Sequence, residues 1–200
     1  MTDILEIIQV VLLVSLIGIE ILRGCYSRAS MNTNNKLINV ISIVQDSFIV
    51  RPLVALLAAQ LAFQLLPQHQ GALAEAPLMP SLAVMFLVGE LSHYWYHRLA
   101  HHWEPLWNLH RVHHSATQMS VMVTSRIHIL WQVFMPVNYL AGIALYLGLF
   151  EMIAVWFFIR AILNFLTHTN VRWDLALHDT PGLRWPIGLL ERIVTLQDAH

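Results

Sequence analysis

Two hundred residues suit a single domain, and a composition that is 57% hydrophobic but only 12% charged lies far from the soluble average and belongs in a membrane. Eleven basic against 12 acidic residues leave a formal charge of −1, with no basic excess to hold nucleic acid and no acidic tail. The single cysteine, Cys25, excludes an internal disulfide, a zinc ribbon and a cysteine-ligated iron–sulfur site, and reads as structural.

Ile4 to Leu22 is long enough to cross the hydrocarbon layer, which takes ~20 residues at the helical rise, and is expected as a first transmembrane segment. Acidic residues precede it in place of a basic n-region and no small-residue cleavage site follows, so a removable signal peptide is not expected. Arg23 to Lys36 is a polar loop. Leu37 to Leu66 is apolar for longer than one crossing needs, with a segment over 38–66, and part of it can lie in the interface. It contains Asp46 and Arg51, which can pair with each other or with a neighbouring helix, or sit near a membrane surface. Gln68 to Pro80, punctuated by Gly71, Pro77 and Pro80, is a connection, and His69 within it is given no metal role.

Ser81 to His101 forms the third segment, and the stretches 121–149 and 151–168 a fourth and fifth, joined as a hairpin at Gly148. The expected architecture is therefore all-α, a polytopic integral-membrane bundle of five segments in one domain over 1–200. Beyond His168 the chain is mixed and Trp-rich, with Pro181, Gly182 and Pro186, as suits the interface. Arg23, Arg28, Lys36, Arg98, Arg111, Arg172, Arg184 and Arg192 share one side of this topology, while 68–80 has no Lys or Arg. The positive-inside rule makes that side cytoplasmic and puts the N-terminus on the other.

Six of the 12 histidines fall between His97 and His114, where imidazole buried in hydrocarbon would be costly without a partner. Helical residues four apart share a face about 6 Å along the axis, so His97 and His101 can converge on one ion, and His110 can reach the face of His113 and His114. Each box is a preformed chelate. Together they exceed the four ligands of an ordinary zinc site, and neutral imidazole suits iron, zinc and copper, so two metals are inferred.

These residues resemble the fatty acid hydroxylase and sterol desaturase superfamily of membrane di-iron enzymes. Glu90-Leu-Ser-His-Tyr-Trp-Tyr-His97-Arg98-Leu-Ala-His101 looks like its first box, and Leu106-Trp107-Asn-Leu-His110-Arg-Val-His113-His114-Ser115 like its second. Asn164-Phe-Leu-Thr-His168-Thr169 is similar to the third histidine position, and Gly188-Leu-Leu-Glu191-Arg192-Ile-Val-Thr195 to the approach to the last box, so the likeness runs from Ser81 to His200. It implies a di-iron (Fe) cofactor held by His97, His101, His110, His113, His114, His168 and His200, on the cytoplasmic side of a bacterial inner membrane or endoplasmic reticulum. The chain departs from the family where Leu196 replaces a usual proline and where only His200 stands in the last H-x-x-H-H box, one residue late. It is therefore expected to be a fragment whose catalytic domain continues beyond residue 200, with one iron short of ligands.

The resemblance further implies hydroxylation or desaturation of a lipid C–H bond with dioxygen, the lipid being a sterol, fatty acyl chain, ether lipid or carotenoid. Electrons come from outside, because no GxGxxG and no CxxCH is present. The implied donor is a reductase, cytochrome or ferredoxin drawing on NAD(P)H. A zinc membrane hydrolase would need H-E-x-x-H, whereas Arg98 follows His97. A non-catalytic metal carrier would favour ligands near the bilayer midplane, whereas these cluster at one end. His93 is assigned a supporting or packing role and His102 is a neighbour, while His128 and His178 are further candidate ligands. Tyr94, Trp95, Tyr96, Trp103 and Trp107 form an interfacial belt, and Arg98 and Arg111 are expected on carboxylates such as Glu90 or Glu104, or on lipid head groups.

Overall fold

Long apolar runs can satisfy their backbone donors in a bilayer only as helices or closed barrels, and all regular structure among the described residues is helical. The computed structural model describes residues 2–28, 31–171, 173, 177 and 179–190. His178 and His200, both candidate ligands, lie outside the described residues. Helix α1 spans Thr2–Leu22 and stops ahead of Gly24, whose φ of 76° takes the chain into the left-handed region. Helix α2, Thr33–Val44, begins at Asn32, whose side chain accepts the Asn35 N–H at 2.8 Å.

A π segment, Gln45–Val50, joins α2 to α3, Arg51–Leu65, without a break. The reason lies one residue further on. Pro52 has no N–H for the Phe48 carbonyl and its ring would strike it, and the wider π turn just ahead relieves that clash. The whole rod, Thr33–Leu65, is 33 residues, and its most apolar 18-residue window has a mean hydropathy of 1.8. Helix α4 is Leu78–Ala100, and α5, Glu104–His114, follows a sharp turn with Pro105 in its first turn. A 3-10 turn at Val121–Ser125 leads to α6, Ile129–Phe134, then to α7, Pro136–Tyr146, and α8, Phe150–His168. A short α9, Arg184–Leu190, closes the described chain.

The stretch 121–149, expected as one transmembrane segment, is thus broken in three. Pro136 cannot continue α6, and the Asn138 side chain covers the carbonyl of Gln132 at 2.7 Å, which stabilises the break. Eleven residues of α7 rise only ~16 Å, about half a bilayer core. Gly148, at φ 89°, makes the expected reversal between α7 and α8.

Two helices among the described residues, Thr33–Leu65 and Phe150–His168, are long and apolar enough to cross a membrane, the second with a mean hydropathy of 1.6 over its most apolar 18 residues. Only 28% and 22% of their most apolar windows are buried inside the molecule, so neither is an enclosed core helix. The outward face of the first carries Leu53, Leu56, Leu57 and Leu61, the second exposes Phe150, and α4 adds Val84, Leu87 and Leu91. An apolar exterior of this kind suits lipid rather than water.

The inward faces meet through small residues. A Cβ on Gly142 of α7 would overlap the Ala55 carbonyl and the Ala58 methyl of α3, so the two backbones touch there and filling the gap would cost about 1–3 kcal/mol. Gly89 of α4 likewise makes room for Trp156 of α8, whose ring would lie 2.9 Å from any added Cβ. Around Trp156 the core gathers Leu82, Met85, Trp131, Met135 and Met152. This packing brings the C-terminal ends of α4 and α8 and the length of α5 together.

Candidate metal centre

Helical spacing does what the sequence suggests within each box. His97 and His101 bring their Nε2 atoms to 3.0 Å at the end of α4, and His110 and His114 do the same on α5. The turn at His101 to Trp103 then lays α5 across the end of α4, so that the ligand atoms of all four lie within 4.8 Å of one another. Nitrogens ~2.1 Å from one ion lie at most ~4.2 Å apart, so shifts of a few tenths of an ångström would close the four on a single ion.

His113 does not join this group. It points away from the quartet towards α8, where its Nε2 lies 3.2 Å from that of His168. The Nδ1 of His168 sits 2.8 Å from the Asn164 carbonyl, which can only accept. The proton therefore belongs on Nδ1, and the Nε2 lone pair faces His113. The six histidines are thus divided as four and two, a quartet and a neighbouring pair. Two neutral imidazole lone pairs do not settle 3.0–3.2 Å apart unless a proton or cation lies between them, so three such pairs fit a site for metal ions. Burial, followed by the nearby His101, also holds His114 below the ordinary histidine range, which keeps its lone pair available at neutral pH.

Aromatic rings flank the quartet, in which His110 is buried while His101 and His114 are exposed. Trp131 of α6 stacks on His110 at 4.4 Å between centroids, and Tyr96 donates its hydroxyl to the Trp131 carbonyl at 3.2 Å. On the outer side Trp107 lies against His101 and His114, at 5.4 and 5.6 Å. Buried Arg126 steadies the end of α5, donating to Ser115 Oγ at 3.0 Å and to Asn35 of α2 at 3.2 Å. The end of α8 is held by Glu20, fully buried near the end of α1. Its oxygens accept from the backbone N–H of Val121 at 2.9 Å and of Asn170 at 2.8 Å, from Thr169 Oγ1 at 3.0 Å, and from the Tyr26 hydroxyl.

Other expectations resolve differently. His128 is exposed and its Nδ1 accepts the Leu130 N–H at 3.2 Å, so it caps α6 and is not a ligand of the cluster. His102 is exposed, outside the quartet, and His93 packs edge-on against His97 at 5.9 Å, as a supporting residue would. Arg98 is not on a carboxylate. It donates to Tyr94 Oη at 2.6 Å and lies over the Trp95 ring, because Glu90 is already engaged by Arg160 of α8. Sequence reasoning did not single out Trp131, Arg160 or Glu20. Lone ionisable residues inside apolar runs were the available signal for the last two.

A cavity of about 300 Å³ runs from His97, His110, His113 and His168 towards Arg51, Glu90 and Arg160. Its walls between the two ends include Trp131, Met135 and Phe157. A family model described as fatty acid hydroxylase matches residues 82–200, which takes in both histidine boxes, His168 and most of the cavity. No curated protein and no solved structure matches the chain.

Proposed function

From its membership of the fatty acid hydroxylase family, we propose that this chain is a membrane-bound di-iron oxidoreductase that uses dioxygen to hydroxylate or desaturate a C–H bond of a lipid. The observation that carries the reading is the division of the histidines, a quartet able to hold one ion beside a pair able to contribute to a second. His97, His101, His110 and His114 would hold the first iron, and His113 and His168 the second. Iron held by neutral imidazoles supplies the dioxygen chemistry that an unactivated C–H bond requires.

The protein's own residues set the conditions. The Asn164 carbonyl fixes the tautomer of His168, Trp131 covers the buried His110, and the cavity would place one lipid carbon beside His97 and His110. Electrons would come from a separate reductase, cytochrome or ferredoxin. Metal analysis of the purified chain, paired with oxygen uptake in the presence of lipid, tests the proposal. Iron and lipid-dependent uptake are expected; zinc in its place, or uptake indifferent to lipid, would defeat it.

We also propose a polytopic arrangement in a bacterial inner membrane or the endoplasmic reticulum, with the histidines cytoplasmic. The Lys and Arg distribution and the outward apolar faces support it. Cys25 is buried and should give little background to a thiol label. Cysteines introduced at the exposed positions Gln70 and Asn108 are expected to react from opposite sides, position 70 in intact cells or sealed vesicles and position 108 only after permeabilisation. Labelling of both from one side would overturn the topology.

A further inference from the structure

Three ionisable residues sit near the middle of three different apolar helices and line the same cavity as the histidines: Arg51 in the Thr33–Leu65 rod, Glu90 in α4 and Arg160 in α8. Charges at that depth are costly, and they persist where they face an interior or a cavity. Each here has its counter-charge. Arg160 pairs with Glu90, and Arg51 grips Asp46 twice, at 3.1 and 2.6 Å. The π segment sets up the second pair, its last turn closed by the Arg51 N–H on the Asp46 carbonyl. A π turn in an otherwise α-helical rod is a frequent mark of a functional site. Gln132 and Asn138 add neutral amides to the same walls.

We propose that this end of the cavity is a subsite for an uncharged polar group, a hydroxyl or an amide, on the lipid whose carbon is presented at the histidines. Arg51, Glu90 and Arg160 then select substrates by the distance between that group and the reacting carbon. The inference rests on the proposed function. Its geometry follows from the helices: Glu90 is seven residues before His97 and Arg160 eight before His168, ~10 and ~12 Å of helical rise. Its chemistry follows from the charges. The two ion pairs sum to zero, so an anion entering would have to displace a carboxylate that is already in place. A guanidinium has five N–H donors, and Arg160 gives one to Glu90 while Arg51 gives one to Asp46 and lies at ion-pair distance from its other oxygen, so donors remain for a neutral acceptor. A pure alkane would leave them unanswered, and sites built around such donors discriminate strongly against the ligand that lacks the group.

Binding to the full chain, stripped of metal by chelation and held in lipid nanodiscs, tests this apart from any turnover. Radiolabelled hexadecanol is expected to bind saturably, with hexadecane and hexadecanoate competing at least tenfold more weakly. Hexadecanol affinity should fall at least tenfold in the Glu90→Gln/Arg160→Gln double variant, which leaves neither charge buried alone, while its metal content stays that of the parent. Equal competition by hexadecane or hexadecanoate would overturn the subsite, and so would undiminished hexadecanol binding by the double variant. The competition series needs no variant, so it decides the matter even if the double variant fails to fold. Selective hexadecanol binding by a chain that holds no iron and shows no lipid-dependent oxygen uptake would sink the proposed function and leave the subsite standing.

Discussion

Replacing His110 with alanine is expected to weaken metal binding and lipid-dependent oxygen uptake by more than 100-fold. Loss of a residue that merely orients a ligand typically costs 10–100-fold, and His110 is itself placed as a ligand. It is the buried member of the quartet, with its Nε2 3.0 Å from that of His114, its ring stacked on Trp131, and its edge 4.4 Å from His97 between centroids. Truncation removes a donor and opens a hole at the centre of the cluster. His102→Ala, at an exposed site on the adjoining turn, should leave both readouts within twofold of the parent. Circular dichroism separates loss of the site from loss of the fold. A His110→Ala chain with parental metal affinity would remove the quartet as a metal site.

Glu20→Ala should be the most destabilising single change remote from the histidines, by roughly 3 kcal/mol or more. It strands the N–H groups of Val121 and Asn170 and the hydroxyls of Thr169 and Tyr26, and each buried polar group left unmade costs about 1–3 kcal/mol. Burial, and after it the bond to Glu20, keeps the Tyr26 hydroxyl protonated to well above its ordinary pKa, so Tyr26 acts as donor in this clamp throughout the working pH range. Thr169 follows His168 directly, so the loosened clamp should also lower affinity at the His113–His168 pair. Glu20→Gln, which keeps one acceptor oxygen and the shape, should recover part of the loss. Thermal unfolding in detergent measures the effect, and a Glu20→Ala chain within 0.5 kcal/mol of the parent, the usual range of a surface substitution, would show that the clamp holds nothing.

These two residues mark where the sequence could and could not be read. The histidine boxes were legible because chelation within them is local: a spacing of four on a helix puts two rings on one face whatever surrounds them. That His97, His101, His110 and His114 form one group, with His113 turned away to His168, depends on how α5 lies across α4 and α8. Nothing in 97–114 encodes that angle. Glu20 was illegible for the same reason, since its partners lie 101 and 150 residues away. The apolar stretch 121–149 was misread because hydrophobicity alone suggested one long helix, although Pro136 within it was a visible sign of a break. Arg98 and Glu90, eight residues and just over two turns apart on one helix, looked like partners until α8 supplied Arg160.

The π segment also acts as a phase shifter between two screws. One residue inserted into an α-helix turns everything beyond it by about 100°, and Gln45–Val50 accommodates such a surplus between α2 and α3. On the near side, Asn39 of α2 is turned towards Arg126; on the far side, Ala55 of α3 is turned to the backbone of α7 at Gly142. A gene one codon shorter here would encode a rod just as apolar and just as helical. It would be mistimed, able to mesh with Arg126 or with Gly142 but not with both at once.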